Sequence, residues 1–237
     1  EKHYLYPNKF INQMRPKRII LIRHGESSAN VDRYLFGQIP DYTIELTEKG
    51  CMQARVAGCK LKELVGDESI YFYVSPFWRT RSTFENIVRS IPRSQFVYSE
   101  EPRLREQEWG YLRCNEDFDK ICRERREYGT FYYRIPGGES GTDVYDRIDD
   151  SLGSMYRDFR REDYPENCVL VTHSLTIRLF LMRYYHLTVE EFEQMLSPDN
   201  CELVVMNLQD DGCYRLDYAI RKSESPLHYS RPIVLPE

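Results

Sequence analysis

Three short runs constrain the chain most: RIILI at 18–22, IYFYV at 70–74 and CVLVT at 168–172. Each is continuously apolar rather than alternating, and each stops abruptly at polar residues. Runs this short fit strands covered on both faces better than helices. Between them the apolar residues change period. Thr47 caps a helix over 48–65 carrying Ala54, Leu61, Leu64 and Val65. Pro76 is placed at the first position of a second helix, which carries Phe84, Ile87, Val88 and Ile91. Val144, Ile148, Leu152, Met155 and Phe159 recur at three or four residues and mark an amphipathic helix over 143–162. Ser174–His186 reads as a further helix, and Thr188 with Glu191 as the capping box of a short one. FVY at 96–98 is a short strand. CELVVM (201–206) and YRLDYAI (214–220) form a hairpin around Asp210-Asp211-Gly212. The charged and aromatic stretch 113–135 reads as a helical excursion.

Strands alternating with helices predict an α/β fold: a three-layer α/β/α sandwich with a mainly parallel central sheet, in a single domain. Its span is 18–220, after an N-terminal arm (1–17) and before an irregular tail (221–237) that contains Pro226, Pro232 and Pro236. With 41% hydrophobic and 30% charged residues, the composition is that of an ordinary globular chain. No apolar run approaches the ~20 residues of a membrane span. A net charge of −5 gives no general pull toward nucleic acid. The seven cysteines show neither a CxxC pair nor zinc spacing. Cys168 and Cys201 lie in apolar runs as small buried hydrophobes, and the expected location is a reducing, cytoplasmic one.

In parallel sheets ligands bind beyond the carboxyl ends of the strands. Here the first run ends in Arg23-His24-Gly25, and the third in His173-Ser174. The second ends in Ser75-Pro76, with Arg79 and Arg81 following. If the strands are neighbours, both imidazoles face one crevice, joined by arginines and by helix N-termini. Such a site suits a dianionic phosphate, because guanidinium forks grip two oxygens at once. Two histidines with Glu26 or Glu106 also make a conceivable zinc set. Adjacent arginines oppose a cation, however, and no HExxH spacing exists, so no metal is expected.

The segment Leu21-Ile22-Arg23-His24-Gly25-Glu26-Ser27, with Asn30 after it, resembles the signature of the histidine phosphatase superfamily, in its phosphoglycerate mutase-like branch. Four further segments match in order. These are Ser75-Pro76-Phe77-Trp78-Arg79-Thr80-Arg81-Ser82-Thr83, then Leu104-Arg105-Glu106 with Gly110, Pro136-Gly137-Gly138-Glu139-Ser140, and Val171-Thr172-His173. The pattern is most similar to a plant and fungal subgroup described only as phosphoglycerate mutase-like.

The resemblance implies that His24 is the nucleophile, forming a phosphohistidine, and that Glu106 is the proton donor. Glu108, two residues on and on the same face of an extended segment, is read as a solvated carboxylate. Arg23, Arg79 and His173 would surround the phosphoryl oxygens. Asn30, Gly37 and the backbone N–H of Ser174 would add substrate contacts. Glu26 is expected to pair with an arginine and Glu139 to anchor its loop. Arg113, Arg134, Trp109, Phe131, Tyr132 and Tyr133 either line the pocket mouth or pack a helix on the sheet edge.

Departures from the mutase pattern favour hydrolysis. Asp117 stands near the place of a lysine, and Tyr132-Tyr133-Arg134 near an arginine pair. Phe36 precedes Gly37 where mutases carry a small hydroxyl residue. Ser174 and Leu175 replace a glycine and an asparagine. The expected activity is therefore a phosphatase acting on a small phosphorylated molecule, without cofactor. A phosphoglycerate mutase, primed by bisphosphoglycerate, and a phospho-ligand or protein-binding signalling module are the alternatives. No nucleic-acid or membrane partner is expected, and the oligomeric state is open.

Overall fold

The computed structural model describes residues 15–112 and 115–223. Most of the arm and of the tail, and Arg113 and Cys114, lie outside the described residues. The chain begins with strand β1 (Arg18–Arg23), a short helix α1 (Ser28–Val31) and the long helix α2 (Glu48–Val65). Strand β2 (Ile70–Val74), helix α3 (Trp78–Ile87) and strand β3 (Phe96–Glu100) follow. Next come α4 (Asn115–Tyr128), α5 (Gly141–Asp158), β4 (Asn167–Thr172), α6 (Ser174–Tyr185) and α7 (Val189–Gln194). A closing pair of strands, β5 (Leu203–Leu208) and β6 (Tyr214–Asp217), completes the order.

The six strands form one sheet in the order β3-β2-β4-β1-β5-β6. β3, β2, β4 and β1 run parallel, and the β5–β6 hairpin adds an antiparallel edge. The continuous runs now have their cause, because alternate residues serve two cores. Ile19, Leu21, Cys168 and Leu170 point into the layer that contains Val144, Ile148 and Leu152 of α5 and Leu179 of α6. Ile20, Ile22, Val169 and Val171 point the other way, onto Ala54 and Leu61 of α2 and Phe84 and Ile87 of α3. These strand residues are fully buried or nearly so. Truncating one to alanine is expected to cost about 2–5 kcal/mol.

A third, smaller cluster lies where the excursion folds back. Trp109, Phe36 and Phe118 of α4 stack, with Phe118 at 5.9 Å from Phe36 and 5.1 Å from Trp109. Trp109 thus packs the excursion onto the 33–37 turn. Phe131 is buried against Phe192 of α7 at 5.7 Å, so it is core and not pocket mouth. Arg134 is paired with Asp143 at 2.7 Å.

Several boundaries differ from the sequence expectations. Ser75 continues the ladder, donating its N–H to the Val171 carbonyl at 3.0 Å. This leaves Pro76 outside α3, whose N-cap is the extended Phe77. That helix ends at Ile87; Val88 enters a 3-10 turn and Ile91 is extended. The helix expected over 143–162 runs Gly141–Asp158, capped by Ser140 and Asp143. The helix expected to end at His186 stops one residue earlier, with His186 in the left-handed region at φ 52°. The closing hairpin is shifted to 203–208 and 214–217, because Cys201 sits in a turn at φ 60° with its N–H on the Arg23 carbonyl. The caps at Thr47 and Thr188 and the helix over 48–65 stand as read.

Candidate active site

Sheet register brings the histidines together. β1 and β4 pair in parallel with Arg23 opposite Thr172, so His24 and His173 are the next residues out on adjacent strands. Their ring centroids lie 5.3 Å apart, edge to face. Both are buried. The His24 N–H bonds the Thr172 carbonyl at 2.9 Å, extending the ladder by one rung.

Beyond β1 the chain turns under α2. A Cβ on Gly25 would overlap the Gly50 carbonyl, and a Cβ on Gly50 would overlap that of Glu26. Two glycines thus let the loop touch the helix. The Gly25 N–H is fixed on Thr83 Oγ1 (3.0 Å), whose hydroxyl donates to the Arg79 carbonyl at 2.7 Å. The loop bearing one candidate group is tied to the helix bearing another.

His24 Nδ1 lies 2.7 Å from the Gly25 carbonyl. A carbonyl only accepts, so Nδ1 carries the hydrogen and Nε2 keeps its lone pair. No described residue takes Nε2. Burial, then the charges of Arg79 and Arg23, hold this imidazole well below the usual histidine range, so it is neutral. His173 is held down in the same way, by burial first and then by Arg79. Its Nε2 meets Ser75 Oγ at 2.8 Å. Its Nδ1 is buried without a partner, 3.9 Å from Glu106 Oε2.

Glu106 enters from the segment after β3. Thr172 Oγ1 donates to the Leu104 carbonyl (2.7 Å) and Thr176 Oγ1 to that of Arg105 (3.2 Å), which moors the segment to β4 and α6. Burial raises the Glu106 carboxyl above its usual range, against the pull of Arg79 and of the Gln107 N–H. The two candidate carboxylates do not share a face: Glu106 turns inward, Glu108 is exposed, and Gln107 between them is buried. Gln107 is held there by Arg125 at 2.7 Å and the Glu139 carbonyl at 2.8 Å.

Arg79 is buried and donates from NH1 to the Asp41 carbonyl (2.8 Å) and Oδ1 (2.7 Å). Arg23 donates to the Pro198 carbonyl at 2.9 Å and leaves Nε buried and unpartnered. Two guanidinium groups, two neutral imidazoles and a carboxyl shifted toward its protonated form therefore meet at this end of the sheet.

Other expected residues sit further out. Asn30 is exposed and caps α1, accepting the Ser27 N–H at 3.1 Å. Gly37 ends a 3-10 turn against Leu112. Ser174 is the first residue of α6, its hydroxyl accepting from Ser197 at 3.2 Å. Glu26 pairs with Lys49 at 2.6 Å and Thr47 at 3.0 Å, not with an arginine, because α2 delivers both to the loop. Glu139 anchors as read, bridging Arg105 (2.6 Å) and Arg147 (3.1 Å). Among the described residues no cluster of three or more His, Cys, Asp or Glu could hold a metal ion.

Three residues escaped the sequence reading. Asp41 grips Arg79 from a loop. Asn200 donates to the His24 carbonyl at 2.8 Å. Arg147 donates to the Glu106 carbonyl at 3.1 Å and to that of Arg103 at 2.5 Å. Only Arg147 left a trace: it lies on the apolar stripe of its helix, beside Ile148.

Fold and side-chain cluster together define an α/β protein with a buried, cationic, histidine-paired site at the carboxyl edge of a parallel sheet. The sequence profile of the histidine phosphatase superfamily (branch 1) matches residues 19–220, and the chain belongs to that family. It is 41% identical over 229 residues to the Arabidopsis thaliana phosphoglycerate mutase-like protein AT74, covering 91% of this chain and 72% of that protein. It is 29% identical over 289 residues to the broad-range acid phosphatase DET1 of Saccharomyces cerevisiae, covering 83% and 86% respectively. Among solved structures, YhfR of Bacillus stearothermophilus superposes with a TM-score of 0.67 at 23% identity, over 87% of this chain and 98% of that one.

Proposed function

We propose that the protein is a phosphatase that hydrolyses small phosphomonoesters through a phosphohistidine on His24. The observation that carries this is the His24 tautomer: Nδ1 is committed to the Gly25 carbonyl, so the free lone pair is on Nε2. In the reading proposed, the phosphoryl oxygens lie among Arg23, Arg79 and His173. Nε2 attacks phosphorus, the N–P bond forms and the P–O ester bond breaks. The ring becomes cationic, and the Gly25 carbonyl supports that charge. Glu106, whose carboxyl burial shifts toward the protonated form, gives a proton to the leaving oxygen. Water then attacks phosphorus, the N–P bond breaks, and Glu106 recovers a proton from the water. The arginines supply the countercharge on the equatorial oxygens, and no cofactor is required.

The phosphatase-named yeast relative supports hydrolysis. So does the fate of the mutase positions. Arg134 is engaged by Asp143, and Asp117 stands near the sequence place of a mutase lysine. The test is incubation with p-nitrophenyl phosphate, with and without chelator, from mildly acidic to neutral pH, followed by trapping of labelled protein. Phosphate release indifferent to chelator, with an acid-labile label that is absent in His24→Ala, is expected. No release from a broad ester panel would overturn the reading, and interconversion of phosphoglycerates would replace it with the mutase.

A further inference from the structure

Asp41 lies in a 3-10 turn (Asp41–Thr43) between α1 and α2, and the turn is rigidly built. Thr43 Oγ1 donates to the Pro40 carbonyl at 2.7 Å, the Ile44 N–H to the Asp41 carbonyl at 3.2 Å, and Ile44 is fully buried. Tyr42 meets Trp78 of α3 edge to face at 6.5 Å. From this turn Asp41 offers two acceptors to one nitrogen of Arg79, at 2.8 and 2.7 Å. An NH1 carries two hydrogens, so Asp41 uses it completely. Phe77 covers the guanidinium at 4.9 Å. The Nε–NH2 edge remains, with no partner among the described residues. That edge presents two parallel N–H groups, the geometry that grips two oxygens of one phosphoryl group.

We infer that Asp41 positions Arg79, turning its Nε–NH2 edge to the phosphoryl group, and that its carboxylate charge weakens the hold of the site on phosphate. This rests on the phosphatase reading, and it gives that reading a route to turnover. A site with two arginines binds its product, inorganic phosphate, as well as its substrate. A carboxylate behind the fork keeps the geometry and reduces the attraction, so the product leaves. The charged or titratable groups facing this assembly are Arg79 from α3, Glu106 from the segment after β3, and Arg23, His24 and His173 from the ends of β1 and β4.

Two substitutions separate orientation from charge. Asp41→Asn keeps both acceptors and removes the charge; Asp41→Ala removes the charge and the side-chain acceptor. Steady-state hydrolysis of p-nitrophenyl phosphate and inhibition by inorganic phosphate are measured for both variants and the wild type, from acidic to neutral pH. Asp41→Asn is expected to bind phosphate roughly three- to tenfold more tightly than wild type at neutral pH. The gap should close toward acid pH, where the wild-type carboxyl is neutral too; the ratio at each pH cancels the ionisation of phosphate itself. The kcat of Asp41→Ala should fall about tenfold below that of Asp41→Asn. Phosphate affinity in Asp41→Asn no tighter than wild type overturns the inference, as does equal kcat in the two variants. If Asp41→Ala fails to fold, the phosphate affinity of Asp41→Asn decides alone. If the wild type releases phosphate from no ester, the phosphatase reading fails separately. Calorimetric binding of inorganic phosphate to wild type and Asp41→Asn then still decides the role of Asp41.

Discussion

The two ends of the sheet use polar residues in opposite ways. At the amino ends of β1, β2 and β4, charges close on each other. Glu68 receives Lys17 (2.8 Å), Arg18 (2.5 Å) and the Asn167 amide (3.1 Å), while Glu166 receives Lys17 (2.7 Å) and the Ser69 N–H (3.1 Å). Burial alone would push the Glu68 carboxyl up, but Lys17, Asn167 and Arg18 together bring it down to about 2. At the carboxyl ends the network stays open. His173 Nδ1 and Arg23 Nε are buried without partners, and both imidazoles are held neutral by burial and arginine charge. An unsatisfied buried donor or acceptor costs about 1–3 kcal/mol. At the carboxyl end a ligand can recover that cost.

The largest break in this contrast should come from His24→Ala, which removes the proposed nucleophile. Turnover of any ester should fall below detection while thermal stability stays within a few degrees. Next, Arg79→Ala should cut kcat/KM by about 10²–10³, whereas Arg81→Ala should leave it nearly unchanged. Arg81 points away and pairs with half-exposed Glu100 at 2.6 Å. Equal losses in the two would move the phosphoryl site off Arg79.

Glu106→Gln should slow poor leaving groups about 10²-fold and good ones much less. A uniform defect would take proton donation away from Glu106. The smallest effect belongs to the other end. Glu68→Gln should leave kcat/KM intact and cost roughly 1 kcal/mol at neutral pH, discounted for solvent screening. Since the folded carboxyl titrates below its unfolded value, that contribution is full above about pH 4.5 and is lost as pH falls toward 2. Chemical denaturation of both proteins across that range checks it. A loss of activity in Glu68→Gln would mean that the two ends are coupled.

The parts of this molecule legible in the sequence are those that repeat locally. Continuous apolar runs marked the buried strands, and their abrupt ends marked where chemistry sits. Arg23-His24 and His173 were readable because a parallel strand delivers its next residue to the site without further help. What local pattern could not carry was long-range polar contact. Asp41 reaches Arg79 and Asn200 reaches the His24 backbone across the fold, from loops with no periodicity. Glu26 found Lys49 instead of an arginine for the same reason. Pro76 misled because its preference for a helix start competes with the ladder bond from the preceding serine, and the ladder wins. One face is the expectation for Glu106 and Glu108, but Glu106 turns inward and Glu108 is exposed, with the Gln107 amide between them buried and held from two sides.

The alignment of Arg23 with Thr172 has an evolutionary consequence. Each imidazole is placed by counting residues along a strand, so a single inserted residue in β1 or β4 would carry a ring about 3.3 Å along and onto the opposite layer. Insertions around α4, in the excursion beyond Glu106 and Gln107, leave that count untouched. That span can therefore be lengthened, shortened or rebuilt while the paired rings stay in place.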